Sequence, residues 1–241
     1  MKKIIAILLI GFVWGCSSVP MEHQEMGKQV KQTLKANYIK EVTMDYLLYL
    51  PKDYDTKVKV PLVLFLHGAG ERGNDIEKVK VHGLPKLIEA GKEFPFMVVS
   101  PQCPLDVRWE TKDLIALLDY IEANYKVDKD KIYVTGLSMG GNGTWRLVSE
   151  IPDRIAAAIP ICGWGDPFAV CNMKNVAVWA FHGAKDNVVP IAGTEELVNR
   201  LKACGGEVEY TVYPDAWHDS WTATYDNDKI YDWLLSHSRK K

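Results

Sequence analysis

Short, wholly apolar runs alternate along this 241-residue chain with segments whose apolar residues recur at helical spacing. That alternation rules out an all-helical fold and an all-β fold. Residues 42–50 alternate apolar and polar side chains as far as Pro51, the pattern of a half-buried strand. Residues 61–67 are almost continuously apolar and stop at Gly68, and residues 96–100 form a second such run ended by Pro101. Both read as strands buried on two faces. Residues 131–135, 155–161, 176–181 and 207–213 supply four more strands. Between them, residues 113–125 place Leu114, Leu117, Leu118 and Ile121 on one helical face, and residues 139–150, 190–203 and 229–237 read as further helices. Pro190 sits near the start of the third, and Gly205-Gly206 lie just past its end. Strands alternating with helices predict an α/β domain whose central sheet is mostly parallel and covered by helices on both faces.

The first residues do not share this pattern. Lys2 and Lys3 precede the apolar stretch 4–14, which is short for a bilayer span, and Gly15-Cys16-Ser17-Ser18 follow at once. Residues 1–15 therefore read as an export signal, 16–37 as a tether and 38–241 as the folded domain. Val13-Trp14-Gly15-Cys16 resembles the lipobox of bacterial lipoproteins, although Trp14 is bulky where that motif carries a small residue. The resemblance implies lipidation of Cys16 and a cell-envelope protein held to its membrane by that anchor. A net charge of −2 gives no field suited to nucleic acid or to an anionic membrane surface. Export permits disulfides among Cys103, Cys162, Cys171 and Cys204. Cys162 and Cys171, close together around one loop, are the favoured pair, with free buried cysteines the alternative. The four lack metal-ligand spacing.

Gly136-Leu137-Ser138-Met139-Gly140 falls between a predicted strand and a predicted helix. Such a strand–turn–helix is tight enough to require flanking glycines, and it lifts a serine hydroxyl out at the carboxyl end of the sheet. A serine hydroxyl is a weak nucleophile that needs a base, and the base needs an orienting carboxylate. Three histidines follow Ser138. His182 ends a strand and His237 lies in the last helix, whereas His218, in Trp217-His218-Asp219, occupies the loop between the last strand and that helix. His218 is the expected base. Asp186 follows residues 176–181 by a short turn and is the expected acid, with Asp166 as second choice. Asp215 is too near His218 in sequence and reads as a turn residue. Donors to a developing oxyanion are expected from the amide of Met139 and from the loop His67-Gly68-Ala69-Gly70, with Ala69 first and Gly70 second. His67 is expected to be a structural hydrogen-bonding residue.

Phe65-Leu66-His67-Gly68-Ala69-Gly70-Glu71-Arg72-Gly73, the elbow with Gly141-Asn142-Gly143-Thr144-Trp145, and Trp217-His218-Asp219-Ser220-Trp221 together resemble one family. It is that of the compact bacterial esterases related to polyhydroxybutyrate depolymerases, feruloyl esterases and dienelactone-hydrolase-like enzymes. The resemblance covers nearly all of the chain after the tether. It implies the α/β-hydrolase fold, a Ser138–Asp186–His218 triad, and neither metal nor cofactor. Residues 163–175 leave no room for a cap domain, so the site should be open, suited to small or polysaccharide-linked esters of short or aromatic acids. Trp164, Trp217 and Trp221 are expected to offer flat surfaces to substrate. A peptidase or acyltransferase on the same machinery, and a binding protein without catalysis, are the competing readings.

Overall fold

A computed structural model describes residues 26–37 and 41–239, so the leader and Cys16 lie outside the described residues. Eight strands form one sheet in the order β1-β2-β4-β3-β5-β6-β7-β8. β1 (Gln29–Asn37), β2 (Glu41–Tyr49) and β4 (Met97–Pro101) pair antiparallel. From β4 onward the pairings through β3 (Val60–Leu66), β5 (Val127–Leu137), β6 (Ala157–Ile161), β7 (Ala177–Gly183) and β8 (Val208–Tyr213) are all parallel. This is the α/β-hydrolase fold. β1 was expected within the tether. It carries few apolar residues, but nine residues pair with β2 and Leu34 is fully buried, so cross-strand bonding sets its conformation.

The pleat of the central strands explains the two layers of helices. In β3, Leu62, Leu64 and Leu66 point to one core and Val63 and Phe65 to the other. The first core receives Leu114, Leu117, Leu118 and Ile121 of α2 (Thr111–Asn124), Leu147 and Val148 of α3 (Met139–Glu150), and Leu197, Val198 and Leu201 of α4 (Ala192–Ala203). The second receives Leu84 and Ile88 of α1 (Gly83–Glu89), Tyr225 of α5 (Trp221–Tyr225), and Ile230, Tyr231 and Leu234 of α6 (Lys229–Ser236). The four helix stripes predicted from spacing correspond to α2, α3, α4 and α6; α1 and α5 are too short to show a period. α4 stops where Gly205 adopts φ +79°, with Gly205 N–H donating to Lys202 O and Gly206 N–H to Leu201 O. These are the paired bonds of a glycine C-cap.

The cysteine pairing differs from expectation. Cys171 is bonded to Cys204, whereas Cys103 and Cys162 are free and buried. Cys162 directly follows β6, with its side chain in the second core. Cys171 lies in the 3-10 turn Val170–Met173, whose Val170 and Met173 pack into the first core beside α4. The sheet separates two cysteines that sequence proximity suggested joining. No helix among the described residues is long and apolar enough to cross a membrane.

Candidate active site

Because β3, β5, β6, β7 and β8 run parallel, the loops that leave them emerge at one edge of the sheet, where ligands bind in open α/β folds. Ser138 follows β5 at φ +53° and ψ −114°, a conformation that costs a non-glycine residue on the order of 1–3 kcal/mol. The surroundings hold it there. Ser138 N–H donates to Ile161 O at 2.9 Å, and Ser138 O accepts from Asn142 N–H at 3.0 Å. The turn passes so close to β3 that a Cβ on Gly140 would stand 1.9 Å from Leu66 O.

The structure brings Ser138, His218 and Asp186 into one hydrogen-bonded chain. His218 Nε2 lies 2.9 Å from Ser138 Oγ, and His218 Nδ1 lies 2.7 Å from Asp186 Oδ2. A carboxylate only accepts, so Nδ1 carries the proton and Nε2 is left as the acceptor for the serine hydroxyl. Asp186 Oδ1 accepts from Val188 N–H and Val189 N–H, both at 2.9 Å. Burial opposes ionisation of Asp186, but the bonds from His218, Val189 and Val188 prevail and hold its carboxyl below the usual range.

Asp186 has a further partner that the sequence reading did not assign. His182, fully buried at the end of β7, places Nε2 2.9 Å from Val189 O and 3.2 Å from Asp186 Oδ2. Its Nδ1 lies 2.8 Å from Thr194 Oγ1. Both neighbours of Nε2 are acceptors, so the proton resides on Nε2 and His182 supports the same carboxylate oxygen, Oδ2, that His218 bonds. The spacing His182-Gly183-Ala184-Lys185-Asp186 held the signal, but only the turn after β7 shows that the two side chains converge. Asp166, the second choice for the acid, instead accepts from Phe168 N–H at 2.8 Å and lines a separate cavity of about 310 Å³ with Trp145 and Arg146. Asp215 is an exposed partner of Lys185.

Ala69 opens a 3-10 turn, Ala69–Glu71, that follows β3 after His67 and Gly68, and Met139 is the first residue of α3. Register Leu66↔Gly136 sets these two loops side by side. His67 is fully buried; its Nε2 accepts from Cys103 N–H at 2.9 Å and its Nδ1–H donates to Gly68 O at 2.6 Å. It thereby ties the loop to the segment that follows β4. Burial pushes its imidazole down to about 4 from 6.5. Between those values the unfolded chain binds the proton and the folded chain does not, so stability falls as pH drops from about 6.5 to about 4. The expected loss is about 3 kcal/mol for His67, with His182, also lowered by burial, adding in the same direction. Urea unfolding at about pH 7 and about pH 4.5 measures it; equal stability at both would contradict a neutral buried imidazole.

The three tryptophans are disposed differently. Trp217 is 59% exposed. Trp164 is half-buried under the Arg108 guanidinium, 5.5 Å from its ring centroid, and lines an open depression of about 510 Å³ with Val188, Val189, Pro190 and Gly193. Trp221 stands edge-on between His218 and His82, at 5.2 and 5.4 Å between centroids. Residues 162–176 hold the turn Val170–Met173 and no cap.

Residues 105–232, more than half of the chain and including Ser138, Asp186 and His218, match the model of the dienelactone hydrolase family. The chain belongs to the dienelactone hydrolase family. Among the relatives of this family member, a probable feruloyl esterase C of Aspergillus terreus is 25% identical over 71% of the chain and 66% of its own length. A poly(3-hydroxyalkanoate) depolymerase C of Paucimonas lemoignei is 31% identical over 58% of the chain and 44% of its own length. The solved structure of a thermostable esterase superposes with a TM-score of 0.76 at 36% identity, covering 89% of this chain and 64% of that one. An acylaminoacyl peptidase of Pyrococcus horikoshii, at 15% identity and a TM-score of 0.67 over 89% of this chain and 42% of that one, shares the fold. This dienelactone hydrolase family chain thus spans two thirds or less of the length of each.

Proposed function

We propose that the chain is a serine hydrolase that cleaves carboxylic esters through an acyl-enzyme. The observation that carries this reading is the continuous Ser138–His218–Asp186 hydrogen-bond chain at the carboxyl edge of the sheet. Ser138 Oγ attacks the ester carbonyl while His218 Nε2 takes its proton. The imidazolium is stabilised by Asp186, and the amides of Ala69 and Met139 bind the oxyanion. His218 returns the proton to the departing alkoxide, leaving an ester on Ser138. Water, deprotonated by the same nitrogen, releases the acid and restores the serine.

The substrates are small or polysaccharide-linked esters with short or aromatic acyl groups. The open depression beside Trp164 and Val188 suits a flat or compact group and offers no deep apolar channel for a long chain. Trp164, Trp217 and Trp221 contact substrate in this reading. The reaction calls for no cofactor and no nucleic-acid partner. Export with lipidation at Cys16 fits the Cys171–Cys204 disulfide, which persists in oxidising compartments, and a 27% identical relative described as a secreted protein of Arthroderma benhamiae.

Hydrolysis of p-nitrophenyl acetate, butyrate and decanoate and of methyl ferulate tests the reading. Activity on acetate, butyrate or ferulate should exceed that on decanoate by roughly tenfold or more in kcat/KM. A preference for decanoate would contradict the open site, and cleavage of peptide amides with no ester turnover would move the assignment to a peptidase.

A further inference from the structure

Beneath the triad lies a thiol that the proposed reaction does not use. Cys162 directly follows β6 at φ +39°, is fully buried and forms no disulfide. Its sulfur, one carboxylate oxygen of Asp186 and one ring nitrogen of His218 all lie within 4.8 Å of one another. A second observation concerns a donor beside the sulfur. The hydroxyl of Ser220, which is 0% exposed and has no other hydrogen-bond partner, faces it. A donor is therefore in place to stabilise negative charge on the sulfur.

A thiolate, a carboxylate and an imidazole nitrogen make the donor set of a borderline or soft divalent cation. Bonds of about 2.0–2.3 Å hold tetrahedral ligand atoms roughly 3.3–3.8 Å apart. His218 Nδ1 and Asp186 Oδ2, 2.7 Å apart, must therefore open by about 0.6 Å as the ion replaces the proton between them, while the wider separations in the cluster close in. We propose that Cys162, Asp186 and His218 form a binding site for a thiophilic divalent cation such as Zn²⁺ or Cd²⁺, and that its occupancy reversibly switches the hydrolase off. The effect on rate rests on the triad reading above; the binding does not.

The step balances in charge and protons. The thiol releases its proton to solvent as the metal–sulfur bond forms. The imidazole stays neutral, its proton moving from Nδ1 to Nε2 while Nδ1 joins the metal. Thiolate and carboxylate together cancel the charge of the ion, so no net charge is buried. Nothing is oxidised or reduced. With Nε2 protonated, His218 can no longer accept the Ser138 proton and the nucleophile has lost its base. A buried thiol yields its proton only to an ion with strong affinity for sulfur. Mg²⁺ and Ca²⁺, which prefer oxygen ligands, do not displace it.

The test titrates Cd²⁺ into the full chain carrying Cys16→Ser, following the ultraviolet thiolate-to-cadmium band together with ester hydrolysis. The band should saturate at one ion per chain, disappear with EDTA, survive Cys103→Ala and be absent with Mg²⁺. In Cys162→Ser and in Cys162→Ala the band should vanish. Half-inhibiting concentrations of Cd²⁺ and Zn²⁺ should rise at least about tenfold, each variant being compared with its own metal-free rate. His218→Ala, at the solvent side of the cluster, should weaken Cd²⁺ binding by a similar factor and serves if the Cys162 variants do not fold. A band in a protein that hydrolyses no ester upholds the metal site and overturns the esterase reading. Hydrolysis with no band, or inhibition undiminished in the Cys162 variants, overturns the metal site.

Discussion

Ser138→Ala is expected to lower kcat for ester hydrolysis by about 10⁴-fold or more, with little change in stability. The alanine deletes the one atom, Oγ, that lies 2.9 Å from His218 Nε2, and leaves the backbone bonds of the elbow intact. Asp186→Asn should cost a comparable factor for a different reason. Oδ1 already accepts two amides, from Val188 and Val189, so the asparagine must keep its oxygen there. Its NH₂ then faces His218 Nδ1, which has to become an acceptor. The proton shifts to Nε2 and the base is presented to Ser138 in the wrong tautomer. Rates of purified wild type, Ser138→Ala and Asp186→Asn on one soluble ester, with thermal melts as a folding control, check both. An Asp186→Asn variant with near-normal kcat would mean that His218 is oriented by something else.

Gly140→Ala carries the largest expected effect on stability, a loss of about 3–5 kcal/mol. The new methyl would meet Leu66 O at 1.9 Å and His67 O at 2.7 Å. Backbone atoms of a central strand cannot yield as the end of a flexible side chain can, so β3 and the start of α3 must separate. That separation also moves the amides of Ala69 and Met139 apart, so activity should fall with stability. Gly70→Ala is the matched control in the neighbouring loop. A Cβ there meets nothing within 4 Å, and its stability should stay within about 0.5 kcal/mol of wild type. Urea midpoints of the two variants decide the point; equal losses would mean that the close approach of elbow and strand is not what Gly140 provides.

The loops that hold Ser138, Asp186 and His218 were legible because each follows a strong local signal. An apolar run ends, a Gly or polar turn follows, and the parallel order of the strands carries all three loops to one edge. What lay beyond reach came from contacts between residues distant in sequence. β1 carries a weak alternating pattern and is a strand because β2 supplies its hydrogen bonds. Cys171 meets Cys204 across 33 residues because α4 returns its end to the loop after β6. The 42-residue spacing of His67 and Trp109 likewise gave no hint that Trp109 Nε1–H donates to His67 O. His182 shows the intermediate case: its residue type and its spacing from Asp186 were visible, yet its hydrogen bonds depend on Thr194 in α4. Local pattern located the three side chains that converge, and packing supplied the residues that hold them in place.

The most direct test of the ester-hydrolase reading is the intact mass of the protein, trapped with acid shortly after mixing with a slowly deacylating activated ester, followed by peptide mapping. The account predicts a single acyl adduct on the peptide that contains Ser138, and none in Ser138→Ala. An adduct on another residue, or turnover of the ester with no adduct at any time, would contradict it.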